Sequence, residues 1–565
     1  MPASGHSEGG AAAEPAHRIE EEKRIGGAVL QRQQSYEATC RQFRWRVPQF
    51  YNMAADICDR WAADPARLAL IHEKRDGSVA RYSFEQIRRL SSQAANLFTM
   101  RGLNAGERIG ILLPQEPATA IAHLAAYRIG AVAVPLFTLF GVDALKYRLS
   151  DCGAKLLVTD STGAAKVAQI RAALPALQTV FCTDGKADGA EALAPAIQRA
   201  SDAFHTRRTS ADDPALIIYT SGTTGAPKGA LHAHRTLLGH LPGVELSHDF
   251  LGLDGDLMWT PADWAWIGGL IDVLFPAWHH GLPVVARRFE KFDPEAALEL
   301  MARHGVRNAF LPPTALKMMR SALGARRPGL RLRSIASGGE SLGEELLQWG
   351  RETFGVTINE FYGQTECNMT VSSCAALFDV RPGAIGKAVP GHEVRIIDDA
   401  GTALPAGEQG HIAVRRPDPV MFLGYWNNDK ATAEKFIGDW LITGDTGRMD
   451  ADGYISFVGR NDDVITSAGY RIGPGPIEDC LLSHPAVRMA AVVGVPDAQR
   501  TEIVKAFVVL KEGFAPSEAL SAELQDHVRT RLAAHEYPRL VRYLDALPLT
   551  TTGKIVRREL RNLKD

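Results

Sequence analysis

Cysteine is sparse in this chain, and the spacing that a zinc site or disulfide framework needs is missing. Seven cysteines (Cys40, Cys58, Cys152, Cys182, Cys367, Cys374 and Cys480) are scattered through 565 residues with no C-x-x-C pair. That pattern suits a reducing compartment. Charge of one sign is missing too: 63 Lys and Arg oppose 65 Asp and Glu, a formal net of −2. Without a basic excess, no electrostatic footprint for nucleic acid or an anionic membrane is expected. Long apolar runs are also lacking. The most apolar window, 118–140, is broken by His123, Arg128, Gly130 and Pro135. It predicts a buried helix followed by a strand, not a bilayer span. No integral membrane segment and a cytoplasmic location are the resulting expectations.

What is present is an ordinary globular composition, 45% apolar and 23% charged. The length calls for more than one domain. Residues 1–40 read as a disordered lead-in, polar and Ala/Gly-rich through about residue 35, without a signal-peptide core. From about residue 50, helical and strand patterns alternate. Phe84, Ile87, Leu90, Ala94, Leu97 and Phe98 share one helical face, while "RIGILLP", "AVAVPL" and "KLLVT" are short apolar runs closed by Gly, Pro or polar residues. This interleaving predicts an α/β fold with mostly parallel sheets covered on both faces. Residues 41–459 form the expected large, multi-sheet N-terminal domain. The Gly- and Pro-bearing stretch 459–479 reads as a linker, and residues 460–565 as a small, mobile α+β C-terminal lid domain.

The stretch "YTSGTTGAPKG" (219–229) follows the apolar run "PALIIY". Glycines let backbone N–H groups approach an anion, hydroxyls add donors, and Lys228 supplies a point charge suited to phosphate. A P-loop needs Gly-Lys-Ser/Thr in succession, but Pro227 precedes Lys228 and Gly229 follows it. Gly473 and Gly475 begin a G-x-G whose third glycine is absent, so no dinucleotide fingerprint exists. His232 with His234, and His279 with His280, have no carboxylate or cysteine at ligand spacing; structural roles are expected for them.

Read with "SGGES" (337–341), "FYGQTE" (361–366), "ITGDTGRMDADGYISFVGRNDD" (442–463), "SAGYRIGP" (467–474) and "LTTTGKIVRREL" (549–560), the loop resembles the phosphate-binding signature of the adenylate-forming superfamily. The resemblance spans about residues 45 to 562 and implies ATP, Mg²⁺ and CoA as cofactor and cosubstrates. It implies nucleotide contacts from Thr220, Ser221, Gly222, Thr223, Thr224, Gly225 and Lys228. Gly339, Glu340 and Ser341, with Glu360, Phe361, Tyr362, Gly363 and Gln364, match the segments that enclose adenine. Asp445 matches the ribose carboxylate, and Arg460 and Arg471 match arginines on the ribose and phosphate. Thr365 is implied at the α-phosphate and Glu366 at Mg²⁺. Lys554 matches the lysine that reaches the reacting carboxylate, Asp462 the hinge, and Gly469 the pantetheine tunnel.

Within that superfamily, "WTPADWAWIGGL" (259–270) resembles the acyl segment of the acetyl-CoA and medium-chain acyl-CoA synthetases. Trp264, Trp266, Ile267, Gly268, Gly338 and Gly363 are the candidate acyl-pocket residues. Acetate-specific relatives carry tryptophan, valine and threonine where Gly363, Gly338 and Gly268 stand. The three glycines therefore predict an open channel and a medium-chain, branched or aryl acid in preference to acetate, each buried methylene contributing about 0.8 kcal/mol. Thr466 stands where many relatives carry a lysine that assists thioester formation. An acyl-CoA synthetase, monomeric or a small homo-oligomer, is the expected protein. An enzyme loading a carrier protein and a catalytically silent nucleotide sensor are the alternatives.

Overall fold

The computed structural model describes residues 27–185, 187–220, 226–324, 326, 329–339, 342–460, 463, 465–467, 470–497, 501–532, 536–549 and 554–563. Local sequence signals place the first elements. Ser83 and Gln86 form a reciprocal capping box at the start of helix Phe84–Met100, whose apolar stripe buries Phe84, Ile87, Ala94, Leu97 and Phe98. Helix Pro117–Ile129 is mostly apolar and is buried at every position but Ala118. It stops at Gly130, which takes a left-handed φ of 79° as the C-cap, and strand Val132–Pro135 follows at once.

Two doubly wound sheets share the largest core. One has eight strands in the order Glu191–Ala192, Thr179–Cys182, Leu156–Thr159, Arg108–Leu112, Val132–Pro135, Pro214–Thr220, Lys228–Ala233, Gly424–Tyr425. Its first six strands are parallel and its last two antiparallel. The other has nine strands. Six are parallel, from Leu68–Glu73 at one end to Ile358–Gln364 at the other, and antiparallel strands cover both edges. Their strands are nearly continuous apolar runs because helices cover both faces.

A third sheet departs from the parallel expectation. Val394–Ile397, Gln409–Arg415, Phe436–Ile437, Trp440–Met449 and Ile455–Arg460 pair antiparallel throughout. Alternating burial along Trp440–Met449 fits a sheet with one face packed inward.

The smaller C-terminal domain has its own core, including Ile477, Leu481, Val492, Val508 and Leu524. Strands Val487–Asp497 and Thr501–Leu510 pair antiparallel, and helix Glu518–Arg531 packs beside them. The stretch read as a linker instead holds short strands Ile465–Ser467 and Tyr470–Ile472 and the start of helix Pro474–Leu482. Gly473 and Pro474 serve the N-terminus of that helix.

The lead-in also needs correction. Residues 27–40 are packed. The backbone N–H groups of Val29 and Leu30 donate to the buried Glu245 carboxylate at 2.7 and 2.9 Å. His279 joins the Gly27 carbonyl at 2.9 Å and Asp56 at 2.6 Å, and Ser35 caps helix Tyr36–Gln42. Composition suggested disorder, but the partners that hold this segment lie over 200 residues away. His280, beside Glu245 at 3.3 Å, belongs to the same anchor.

Candidate active site

Two hairpins build the centre of the site. Strands Pro214–Thr220 and Lys228–Ala233 pair so that Thr220 stands opposite Lys228, with the phosphate-type loop between them. Ser221, Gly222, Thr223, Thr224 and Gly225 lie outside the described residues. The second hairpin joins Ile358–Gln364 to Cys367–Ser372, with Thr365 and Glu366 at its tip. Strand Gly424–Tyr425 bridges the two: it pairs with the first hairpin, and the Tyr425 hydroxyl donates to the buried Glu366 carboxylate of the second. Lys228 Nζ sits 5.2 Å from the centroid of the Tyr425 ring, a cation–π distance. Lys228, Tyr425 and Glu366 thus form one continuous wall.

Asp445 faces that wall from the third sheet. Its backbone N–H donates to Thr443 Oγ1 at 3.2 Å, and Tyr362 donates to its carboxylate at 2.6 Å. Arg460 stands directly opposite Asp445 in the strand register, Nε to Oδ1 3.4 Å. Burial pushes the Asp445 carboxyl up, against the opposing pull of Arg460, Tyr362, Lys435 and Lys554. Lys554, exposed on the C-terminal domain, therefore lies close enough to act on the field at Asp445.

Lys435 escaped the sequence reading. Its buried ammonium donates to Gln364 Oε1 at 2.9 Å and to the carbonyls of Ile442 and Thr443 at 3.1 and 3.4 Å. Gln364 in turn donates to the Thr443 carbonyl at 2.9 Å. Burial holds the Lys435 pKa below its usual value although Glu366 and Asp445 oppose the shift. Its only linear signal is a lysine ten residues before Asp445, which no periodicity distinguishes.

Glu360 and Phe361 lie on the strand leading to this tip. Burial, then the nearby Asp479 of the C-terminal domain, pushes the Glu360 carboxyl up to about 8. Gly339 follows strand Ser334–Gly338 with a φ of 101°, a backbone form that disfavours side chains. Glu340, Ser341, Asp462 and Gly469 lie outside the described residues. Arg471 is on strand Tyr470–Ile472, but its side chain lies outside them as well.

The acyl segment corrects the open-channel expectation. A Cβ on Gly363 would lie 2.5 Å from Asn368 Cα and Met369 N. On Gly338 it would meet the Phe361 ring and carbonyl at 2.7 Å, and on Gly268 the Phe310 ring at 2.9 Å. These glycines mark close packing, not empty space. The wall is aromatic: Phe310 stacks obliquely on Phe361 at 5.2 Å and on Trp266 at 6.2 Å between centroids. Trp264 and Ile267 are buried in the main core. His232 and His234 are buried too, and burial pushes each imidazole down to about 3.

A cation, Lys228, and two carboxylates, Glu366 and Asp445, are thus linked through Tyr425 and Tyr362 to the strand Ile358–Gln364 and its tip, and Phe361 of that strand belongs to the aromatic wall. The sequence profile of the AMP-binding enzymes matches residues 58–426, and that of their C-terminal domain matches residues 476–554. The chain belongs to the AMP-binding enzyme family. This AMP-binding enzyme is 37% identical over 532 residues to the mitochondrial acyl-coenzyme A synthetase ACSM4 of Rattus norvegicus, covering 91% of each chain. It is 34% identical to the acetyl-coenzyme A synthetase of Bacillus subtilis (strain 168), covering 93% of this chain and 94% of that one. Among solved structures it resembles an acyl-CoA synthetase of Brucella canis (TM-score 0.72, 35% identity, 94% and 99% covered). It also resembles an anthranilate CoA ligase solved with anthranoyl-AMP (TM-score 0.83, 29% identity, 91% and 98% covered). The enzyme is accordingly an acid–thiol ligase of the AMP-forming acyl-CoA synthetase type, with ATP and CoA as cosubstrates. Among the described residues no helix is long and apolar enough to cross a membrane.

Proposed function

We propose that the enzyme activates a medium-chain carboxylic acid as its acyl-AMP and passes the acyl group to CoA, with acetate a poor substrate. Branched and aryl acids are the variants to test. In the first step a carboxylate oxygen attacks the α-phosphorus and the bond to the β-phosphate breaks, releasing pyrophosphate. In the second, the CoA sulfur attacks the acyl carbon and AMP leaves.

The wall of Lys228, Tyr425 and Glu366 carries this reading. Lys228 holds the phosphates that become pyrophosphate, and the phosphate loop, Thr220 to Gly225, surrounds them. Thr365 meets the α-phosphate. Asp445 accepts the ribose hydroxyls, oriented by Tyr362 and Arg460, with Arg471 beside them. Adenine lies between Gly339, Glu340 and Ser341 on one side and Glu360 to Gln364 on the other. Lys554 places its charge where negative charge spreads in the transition state, an interaction worth several kcal/mol.

Glu366 suits Mg²⁺, because a single buried carboxylate beside substrate phosphates is the environment that ion favours. Among the described residues no cluster of three or more His, Cys, Asp or Glu side chains could hold a metal by itself. When bound, Mg²⁺ would neutralise phosphate charge. Tyr425 fixes the Glu366 carboxylate, and Lys435 fixes the adjoining Gln364.

An acid larger than acetate is supported by what fills the acyl wall. Trp266, Phe310 and Phe361 give it an apolar, aromatic lining that suits a hydrocarbon chain or ring. For the second step the C-terminal domain turns about Asp462, withdrawing Lys554 and bringing Gly469 to the pantetheine path. Scattered, unpaired cysteines support a reducing, cytoplasmic setting. The enzyme acts as a monomer or small homo-oligomer. The deciding experiment measures pyrophosphate release over straight-chain acids from C2 to C12 plus benzoate, with and without CoA. Best turnover with acetate would overturn the size assignment.

A further inference from the structure

Asp272 is out of place for its surroundings. It sits wholly buried in the π-helical turn Leu270–Leu274, among Leu270, Ile271, Val273 and Phe275 of the main core. A carboxyl there is costly unless it has a use, and π-turns concentrate at functional sites. It stands four residues after Gly268, in the turn that directly continues the short helix Ile267–Gly269. From the other side, the Asn368 amide donates to both Asp272 oxygens at 2.9 and 3.0 Å. Asn368 is also the residue against which Gly363 packs. Asp272 is thus tied, through Asn368, to the Gly363 end of the acyl wall.

A second buried group points at the same place. His240 Nδ1 lies 2.7 Å from the Thr236 carbonyl, so that nitrogen carries the proton and Nε2 is a bare acceptor. Nε2 is buried, has no hydrogen-bond partner among the described residues, and lies 3.9 Å from Asp272 Oδ1. Two acceptors at that separation are too far apart to bond each other. They are close enough for one amine, with two N–H donors, to reach both with bonds of about 2.9 Å, or for one hydroxyl to donate to either.

We infer that Asp272 and His240, steadied by Asn368, form an end-group subsite that takes a hydrogen-bond donor, hydroxyl or amine, on the far end of the carboxylic acid. This rests on the acyl wall proposed above and narrows it: the substrate is a hydroxy- or amino-bearing acid, not a plain hydrocarbon one. A site built to hydrogen-bond a substrate group discriminates strongly against the analogue lacking it, because its own polar atoms are then left unpaired.

The test compares matched acids by pyrophosphate release: hexanoate with 6-hydroxyhexanoate and 6-aminohexanoate, and benzoate with 3-hydroxybenzoate and 3-aminobenzoate. In at least one set, the donor-bearing acid is expected to have a kcat/KM at least about tenfold above its plain partner. Asp272→Leu should erase or reverse that ratio. Asp272→Asn, which keeps the volume, should reduce it should the leucine variant fold poorly. Because the ratio is taken within one enzyme, a purely structural role for Asp272 leaves it unmoved. Plain acids equal or better in both sets, or an unchanged ratio in the variants, would mean that Asp272 only braces the fold or holds a buried water. No pyrophosphate from any acid would overturn the synthetase reading and this inference together.

Discussion

Lys435 donates its ammonium proton to Gln364 Oε1 at 2.9 Å, and so couples the turn carrying Thr365 and Glu366 to the strand carrying Asp445. Lys435→Met should therefore loosen both at once. Loss of one buried, charged hydrogen bond costs about 1.5–3 kcal/mol, which corresponds to roughly a 10- to 150-fold fall in kcat/KM for ATP. ATP–pyrophosphate exchange measures it. A change confined to thermal stability would show that the contact is only structural.

Tyr425→Phe deletes the hydroxyl on Glu366 while keeping the ring under Lys228. The Mg²⁺ concentration needed for half-maximal pyrophosphate release should rise, by about three- to tenfold for one lost hydrogen bond. The affinity for the carboxylic acid should change less. A Mg²⁺ titration at saturating ATP separates the two.

Lys554→Ala should abolish acyl-AMP formation yet still convert supplied acyl-AMP to thioester. Equal loss of both half-reactions would defeat the two-orientation scheme for the C-terminal domain.

Glu360 predicts a pH dependence of stability. Its folded pKa of about 8 lies above the unfolded value of 4.5, so between these values the folded state binds the extra proton. Stability then falls as pH rises through that window, because the unfolded state ionises first. Glu360→Gln should flatten this slope, read as melting temperature from pH 5 to 8. An unchanged slope would assign the dependence elsewhere.

Glu245→Ala should remove the carboxylate that accepts from the backbone N–H groups of Val29 and Leu30, destabilising the protein by about 2–4 kcal/mol. Denaturant unfolding checks it. Removing residues 1–34 should give a loss of similar size, since the same anchor is emptied.

Short-range physics made much of this protein legible. The helix Phe84–Met100 has its stripe and cap in the sequence, and the apolar strands at 108–114, 131–136 and 155–159 form where their residues predict. The ordered motifs pointed to the reaction class for a chemical reason: phosphate, ribose and carboxylate each demand particular donors and charges. Lys435 carried no such signal. Its partners Gln364 and Ile442 become neighbours only when separate sheets meet. The three acyl glycines misled because an absent side chain looks like space until the neighbours are placed, and Phe310, Phe361 and the Asn368 backbone fill it.

The amino-acid sequence by itself determined the doubly wound α/β design, the nucleotide-handling residue types and the order in which they occur. Those follow from local periodicity and side-chain chemistry. Tertiary structure alone decided which hairpins converge on Glu366, what walls the acyl site, that Glu245 pins the N-terminal segment, and that Asp272 holds Asn368 behind Gly363. Such relationships join residues tens to hundreds of positions apart, and only the packing of sheets and helices sets those distances.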